Sequence, residues 1–339
     1  MEYGYLIPDG RRQRRWSSLG SGSRAGVKVR AALLGRMVDL DVRALRERFT
    51  APHELVPTSD GKTLFVRHWP GPPRTDRAVL LFHGITAYSE PYGPVVGEEL
   101  ARSGWDVFGL DLRGHGRSDG VRGDYPSAER WTKDVVETVE FLRKRFARVV
   151  VLGHSLGVFS AIAGVNHAPT SVDGLVVVSG GTRVKPNAYP KPTARAALKA
   201  LLAITLLPHR RLIEYRREGM VGRDDPLFNF RYSARFFATI YGMPPRAVAK
   251  VLRGNELTSP NLAIRGTPNL PVWAGIGELD ELFSVESARA FFERIPSQEK
   301  EFHVLPGASH TRIPPGSWGP LIAWLGGHFP AGSDGRGPR

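Results

Sequence analysis

A serine hydroxyl is a weak nucleophile until a base takes its proton and an acid orients that base. The 339-residue chain offers all three residue types in usable surroundings. Ser155 stands in Gly153-His-Ser-Leu-Gly157, directly after the apolar run 148–152 and directly before the helix-forming stretch 158–164. Strand, sharp turn and helix in succession lift a hydroxyl clear of a sheet. A second Gly-x-Ser-x-Gly, around Ser118, has no strand before it and no helix after it, and is set aside. His310 lies in Leu305-Pro-Gly-Ala-Ser-His310, a loop following the last apolar run. Asp280, in Gly277-Glu-Leu-Asp280, follows the run 272–276, with Glu278 as the alternative acid. His83 and His154 sit at strand ends and read as residues that orient loops. A developing oxyanion needs preorganised N–H donors. The N–H of Leu156 is one candidate, and the N–H of Ile85, in the loop His83-Gly84-Ile85, is the other.

These residues need a scaffold that brings distant loops together. Apolar runs bounded by turn residues recur at 79–82, 107–110, 149–152, 175–178, 272–276 and 302–305. Helix-like stretches at 95–102, 128–145, 156–165 and 285–295 lie between most of them. Strands without polar alternation, separated by helices, mean a parallel sheet covered on both faces. A hairpin over 53–70, turning at Asp60-Gly61, precedes them. The pattern predicts an eight-stranded α/β sheet whose second strand is antiparallel. Between residues 180 and 271 no strand is legible. Helical patterns at 194–207, 231–241 and 245–253 and a basic stretch at 209–217 predict a helical cap inserted after strand 6.

Composition bounds the rest. The chain is 41% apolar and 24% charged, ordinary for a globular protein. It has no cysteine, which excludes a disulfide scaffold, a thiol nucleophile, an iron–sulfur cluster and a cysteine zinc site. The net charge of +14 is uneven. Arg11, Arg12, Arg14, Arg15, Arg24, Lys28, Arg30 and Arg36 face only Glu2 and Asp9 in the first 36 residues. The main body is too weakly basic to argue for nucleic acid. The basic cluster is followed by Trp-Ser-Ser-Leu-Gly-Ser rather than an apolar stretch, so no secretory signal is legible. No apolar run approaches the roughly 18 residues of a spanning helix. The expectation is a soluble, cytoplasmic protein, at most peripheral to a membrane.

Residues 1–50 read as a basic extension, structureless over 1–26, with apolar residues at helical spacing over 29–49. That helix is either an interfacial anchor for anionic lipid or a helix packed on its own domain, and Met37 is a sensible alternative start. Residues 51–182 and 266–330 form the expected core, 183–265 the cap and 331–339 a frayed tail.

The motifs together resemble the monoacylglycerol lipase and lysophospholipase branch of the α/β-hydrolase superfamily, over about residues 54–328. The resemblance rests on Asp60-Gly-Lys-Thr-Leu, His83-Gly84, the stretch 111–123, the elbow 153–157, Gly277–Asp280 and Gly307–His310. It implies an α/β-hydrolase fold and a cofactor-free, metal-free serine esterase with a helical cap over a lipid-accepting channel. It implies Ser155 as nucleophile, His310 as base, Asp280 as its orienting acid, and Ile85 and Leu156 as oxyanion donors. His83, Gly84, Tyr88, Leu201 and Leu202 are the expected substrate contacts. Two positions depart from the branch. Val158 replaces a glycine often found after the elbow, and Ala87 and Pro91 stand where monoglyceride lipases carry a Glu and an Arg for the glycerol head group. The expected reaction is hydrolysis of an apolar acyl ester or single-chain lipid. The same triad could serve an amide, a carbon–carbon bond or acyl transfer, and a non-catalytic membrane binder using the basic arm is the rival outside enzymology.

Overall fold

The computed structural model describes residues 40–331, apart from 187, 189–192, 194, 196–197, 199–205, 216–219, 245–246, 248–258 and 267–268. Strands β1 (His53–Pro57) and β2 (Thr63–Trp69) form the expected hairpin, with His53 opposite Arg67 and Pro57 opposite Thr63. Its turn closes through the Thr58 N–H, which donates to the Lys62 carbonyl at 2.8 Å. Strands β3 (Arg77–Phe82), β4 (Asp106–Leu110), β5 (Arg148–His154) and β6 (Gly174–Val178) follow. The short strands β7 (Ile213–Glu214) and β8 (Arg231–Tyr232) pair with each other, and β9 (Val272–Gly277) and β10 (Lys300–Leu305) complete the main sheet. Its eight strands run in the order β1-β2-β4-β3-β5-β6-β9-β10. Only β2 runs against its neighbours.

The central strands are buried on both faces because helices cover both. Ala78, Leu80 and Phe82 of β3 join one core with Trp131, Val135 and Val139 of α3 (Ala128–Arg143). Helix α4 (Gly157–His167) adds Ile162 to the same core. The alternate residues Val79 and Leu81 join the opposite core. There they meet Leu100 of α2 (Glu98–Arg102) and Leu321, Trp324 and Leu325 of α6 (Gly319–His328). Every residue of β3, β6 and β9 is buried, whereas the edge strands β1 and β10 are largely not. That is why the inner strands read as unbroken apolar runs.

Two expectations are corrected. The stretch 231–241 is not one helix. The Ser233 hydroxyl accepts the Phe236 N–H at 2.9 Å and caps α5 (Ala234–Tyr241), leaving Arg231 and Tyr232 extended as β8. The interval between β6 and β9 therefore does contain strands, each only two residues long. The helix expected over 29–49 is seen, among the described residues, only as α1 (Val42–Glu47). Arg46 turns inward, donating to Asp119 Oδ1 at 2.9 Å and to the Arg117 carbonyl at 3.2 Å. Phe49 meets the Phe65 ring edge-on at 5.2 Å. This part of the extension packs on its own domain. Residues 1–39 and 332–339, with most of 194–207 and 245–253, lie outside the described residues. Among the described residues no helix is long and apolar enough to cross a membrane.

Candidate active site

Ser155 sits at the turn between β5 and α4 with φ of 54°, a conformation that strains a residue with a side chain. Its N–H donates to the Val178 carbonyl at 2.9 Å, tying the turn to β6. The flanking glycines make the turn possible by their size. A Cβ on Gly153 would lie 2.5 Å from the Gly157 carbonyl oxygen, and one on Gly157 only 2.0 Å from that of Phe82. The helix therefore starts hard against the end of β3.

The loops after β9 and β10 deliver the other two groups. Ser155 Oγ lies 2.9 Å from His310 Nε2, and His310 Nδ1 lies 2.9 Å from Asp280 Oδ2. Asp280 and His310 are buried, Ser155 partly so. The remaining Asp280 oxygen accepts the N–H groups of Leu282 at 2.8 Å and Phe283 at 2.9 Å. Burial alone would raise this carboxyl. The hydrogen bond and charge of His310 and the two backbone donors outweigh that, holding it below the usual carboxylate range. An ionised Asp280 only accepts, so the His310 Nδ1 carries the proton and Nε2 presents its lone pair to the serine.

The loop after β3 borders this chain of contacts. A Cβ on Gly84 would stand 3.3 Å from the Ser155 Cβ. The Gly84 N–H donates to the Tyr92 hydroxyl at 2.8 Å, and that hydroxyl lies 2.7 Å from His154 Nδ1. His154 Nε2 in turn lies 2.8 Å from the His310 carbonyl, so Nε2 donates and Nδ1 accepts. His154 thus links the loop after β3 to the histidine loop. Neither the Ile85 nor the Leu156 N–H donates to an acceptor among the described residues. Two unspent donors beside the serine are what an anion would require.

The other sequence candidates have their polar atoms committed. Glu278 accepts the Gly307 N–H at 2.9 Å from an exposed position, and it is Asp280 that meets His310. Ser118 is fully buried, accepting the Phe65 N–H at 2.8 Å and donating to the Asp111 carbonyl. His83 accepts the Leu112 N–H on Nε2 at 3.1 Å and bonds the Gly84 carbonyl through Nδ1 at 2.8 Å. Burial holds its ring neutral, the pKa lowered to about 4. The Tyr88 hydroxyl donates to Asp225 Oδ2 at 2.8 Å. The polar groups of His83 and Tyr88 are thus spent on the protein itself, not left for a substrate. Leu201 and Leu202 lie outside the described residues. Sequence reasoning did not single out Tyr92 or Lys185, whose ammonium donates to the Asp280 carbonyl at 2.6 Å. His154 lies 62 residues from Tyr92, and Asp280 lies 95 from Lys185, too far along the chain to leave a local signal.

Comparison with known proteins agrees with this architecture. Residues 73–313 match the family described as serine aminopeptidase, S33. The uncharacterized protein YnbC of Escherichia coli K12 is 29% identical over 265 residues, covering 76% of this chain but only 43% of YnbC. Human monoglyceride lipase is 30% identical over 269 residues, covering 75% of this chain and 81% of that enzyme. The crystal structure of the Paleococcus ferrophilus monoacylglycerol lipase superposes with a TM-score of 0.55 at 25% identity, over 78% of this chain and 99% of that one. With an eight-stranded sheet of this order and a serine at its elbow, the chain belongs to the serine aminopeptidase S33 family, as a monoglyceride lipase-like serine hydrolase of the α/β-hydrolase fold.

Proposed function

We propose that the protein is a serine carboxylic-ester hydrolase acting on a single-chain acyl lipid, a monoacylglycerol or lysophospholipid, or a similarly apolar ester. The observation that carries this reading is the unbroken hydrogen-bonded series Ser155–His310–Asp280, with the serine raised on a strained turn. In the first step His310 Nε2 takes the hydroxyl proton as Ser155 Oγ attacks the acyl carbonyl. Asp280 fixes the tautomer and stabilises the imidazolium that forms. The N–H groups of Ile85 and Leu156 receive the oxyanion, each such donor being worth about 3 kcal/mol in the transition state. His310 then protonates the departing alcohol, leaving the acyl group on Ser155. Water, deprotonated by the same nitrogen, releases the acid and restores the serine.

Residues 183–265, between β6 and β9, serve as the cap of this site. The position of Ala87 packs against the apolar core rather than offering a charge, so a glycerol-specific clamp has no anchor there. The family's description as an aminopeptidase favours one competing reading, hydrolysis of an amide by the same triad. A panel of monooleoylglycerol, a lysophosphatidylcholine, p-nitrophenyl esters and aminoacyl p-nitroanilides separates the two. Wild-type turnover of the lipid esters, lost in Ser155→Ala, is the expected result. Turnover confined to the anilides would overturn the ester assignment while keeping the nucleophile. Fluorophosphonate labelling of Ser155 distinguishes a wrong substrate from an inert serine.

A further inference from the structure

The oxyanion loop contains a second strained residue. Thr86 has φ of 69° and is almost fully buried. A β-branched residue avoids this region because its side chain crowds the backbone, so something outside the loop must hold it there. Both of its backbone polar groups are held, and both partners come from the interval between β6 and β9. The Thr86 N–H donates to the Tyr232 hydroxyl at 2.8 Å. The Thr86 carbonyl accepts the Asn229 N–H, also at 2.8 Å. The same tyrosine hydroxyl donates to the Asn229 carbonyl at 2.8 Å, which locks the two partners to each other.

The Tyr232 side chain is fully buried, so water cannot replace it. Its segment is itself seated on the core. Arg122 donates to the Leu227 carbonyl at 2.6 Å, and the Ser233 N–H donates to the Gly123 carbonyl at 2.9 Å. On the other side of the loop, Gly84 is fixed through the Tyr92 hydroxyl. The free N–H of Ile85 hangs between these two anchors, one supplied by the core and one by the insert.

We propose that Tyr232 and the backbone N–H of Asn229 are positioning groups for the oxyanion donor on Ile85, holding Thr86 in its left-handed conformation from the cap side. The inference rests on the proposed hydrolase reading. It makes residues 225–232 a fixed brace of the catalytic loop rather than part of a moving cover. Removing the Tyr232 hydroxyl leaves the Thr86 N–H buried without a partner and lets the residue relax towards negative φ, pulling Ile85 out of register.

The test is a double-mutant cycle on the full chain, with p-nitrophenyl butyrate as substrate and a fluorophosphonate as a probe of Ser155. Tyr232→Phe is expected to lower kcat and the fluorophosphonate labelling rate roughly 10-fold, with KM within about twofold, a fraction of what deleting an oxyanion donor costs. Arg235→Ala breaks the ion pair of α5 with Asp124 without touching Thr86, and keeps the native kcat. In a Thr86→Gly background, where left-handed backbone costs nothing sterically, the Tyr232→Phe penalty should shrink at least about threefold. An equal penalty in both backgrounds, a loss confined to KM, or no loss at all overturns the inference. If Tyr232→Phe fails to fold, residue-resolved hydrogen exchange of the native chain decides. The Thr86 amide should exchange slowly and the Ile85 amide rapidly, and fast exchange at Thr86 overturns it. A wild type that neither turns over an ester nor takes the fluorophosphonate removes the hydrolase reading and this inference together. An active wild type with an unaffected Tyr232→Phe removes only this one.

Discussion

In the proposed mechanism Asp280 does not touch the substrate, yet the chemistry depends on its being an acceptor and nothing else. Its two oxygens are divided between His310 and the N–H groups of Leu282 and Phe283. An amide in its place could turn an NH₂ towards His310 Nδ1 and leave Nε2 protonated, unable to act as a base. Asp280→Asn should therefore lower kcat by roughly 10³–10⁴-fold while KM stays near the native value. Steady-state kinetics on an active-site-titrated sample would show it, and a loss below about 10-fold would contradict the assigned tautomer. At this scale the chain was legible where chemistry restricts the residue type. Few serines follow an apolar strand and precede a helix, and few histidines follow the last strand. Tyr88 was not legible in the same way. Whether a tyrosine hydroxyl faces a ligand or Asp225 is decided by a partner 137 positions away.

The elbow is where the elements press hardest on one another. Helix α4 begins so close to β3 that Gly157 has no room for a methyl group against the Phe82 carbonyl. Gly157→Ala must push the helix or the strand aside, and overpacking of this kind costs about 3 kcal/mol. A lower denaturation midpoint and a loss of turnover should appear together, because β3 leads directly into the loop bearing Ile85. A variant with native stability and activity would show that the helix start yields more easily than its contacts suggest. The inner strands could be placed from their apolar runs because both faces are covered, and the β1–β2 hairpin from its Asp60-Gly61 turn. Strands β7 and β8 could not. Two residues are too few to show a period, and their pairing depends on Ser233 starting α5 where it does.

The whole molecule titrates as one object, and its buried imidazoles set the direction. Burial holds His83 and His115 neutral, with the pKa of His83 lowered to about 4 from an ordinary 6.5. Between those values the unfolded chain takes up protons that the folded chain refuses. The contribution of His83 is complete above about pH 6.5 and is lost as the pH falls towards 4, and that of His115 is lost in the same direction. Below that, the carboxylates that the fold depresses take over. Asp60 is lowered to about 2 and Glu137 shifts the same way, in each case because hydrogen bonds and arginine charges outweigh a burial that alone would raise it. Asp111 works instead against the histidines, from an ordinary 3.8 upwards, since burial raises its carboxyl and acid relieves that cost. The unfolding free energy should therefore fall from pH 7 to pH 4 and continue to fall below it. Chemical denaturation at half-unit pH steps would trace the curve, and a flat profile from 7 to 4 would contradict the buried neutral rings. One consequence of the strand order concerns the making of the protein. The sheet grows outward from β3 and β5 towards β9 and β10, and His310 follows the last strand, 155 residues after the serine it contacts. A chain still on the ribosome can shape its elbow early, but Ser155 lacks its histidine partner until the edge strand β10 has been synthesised and docked. The contact between Ser155 and His310 thus forms only once the sheet itself is complete.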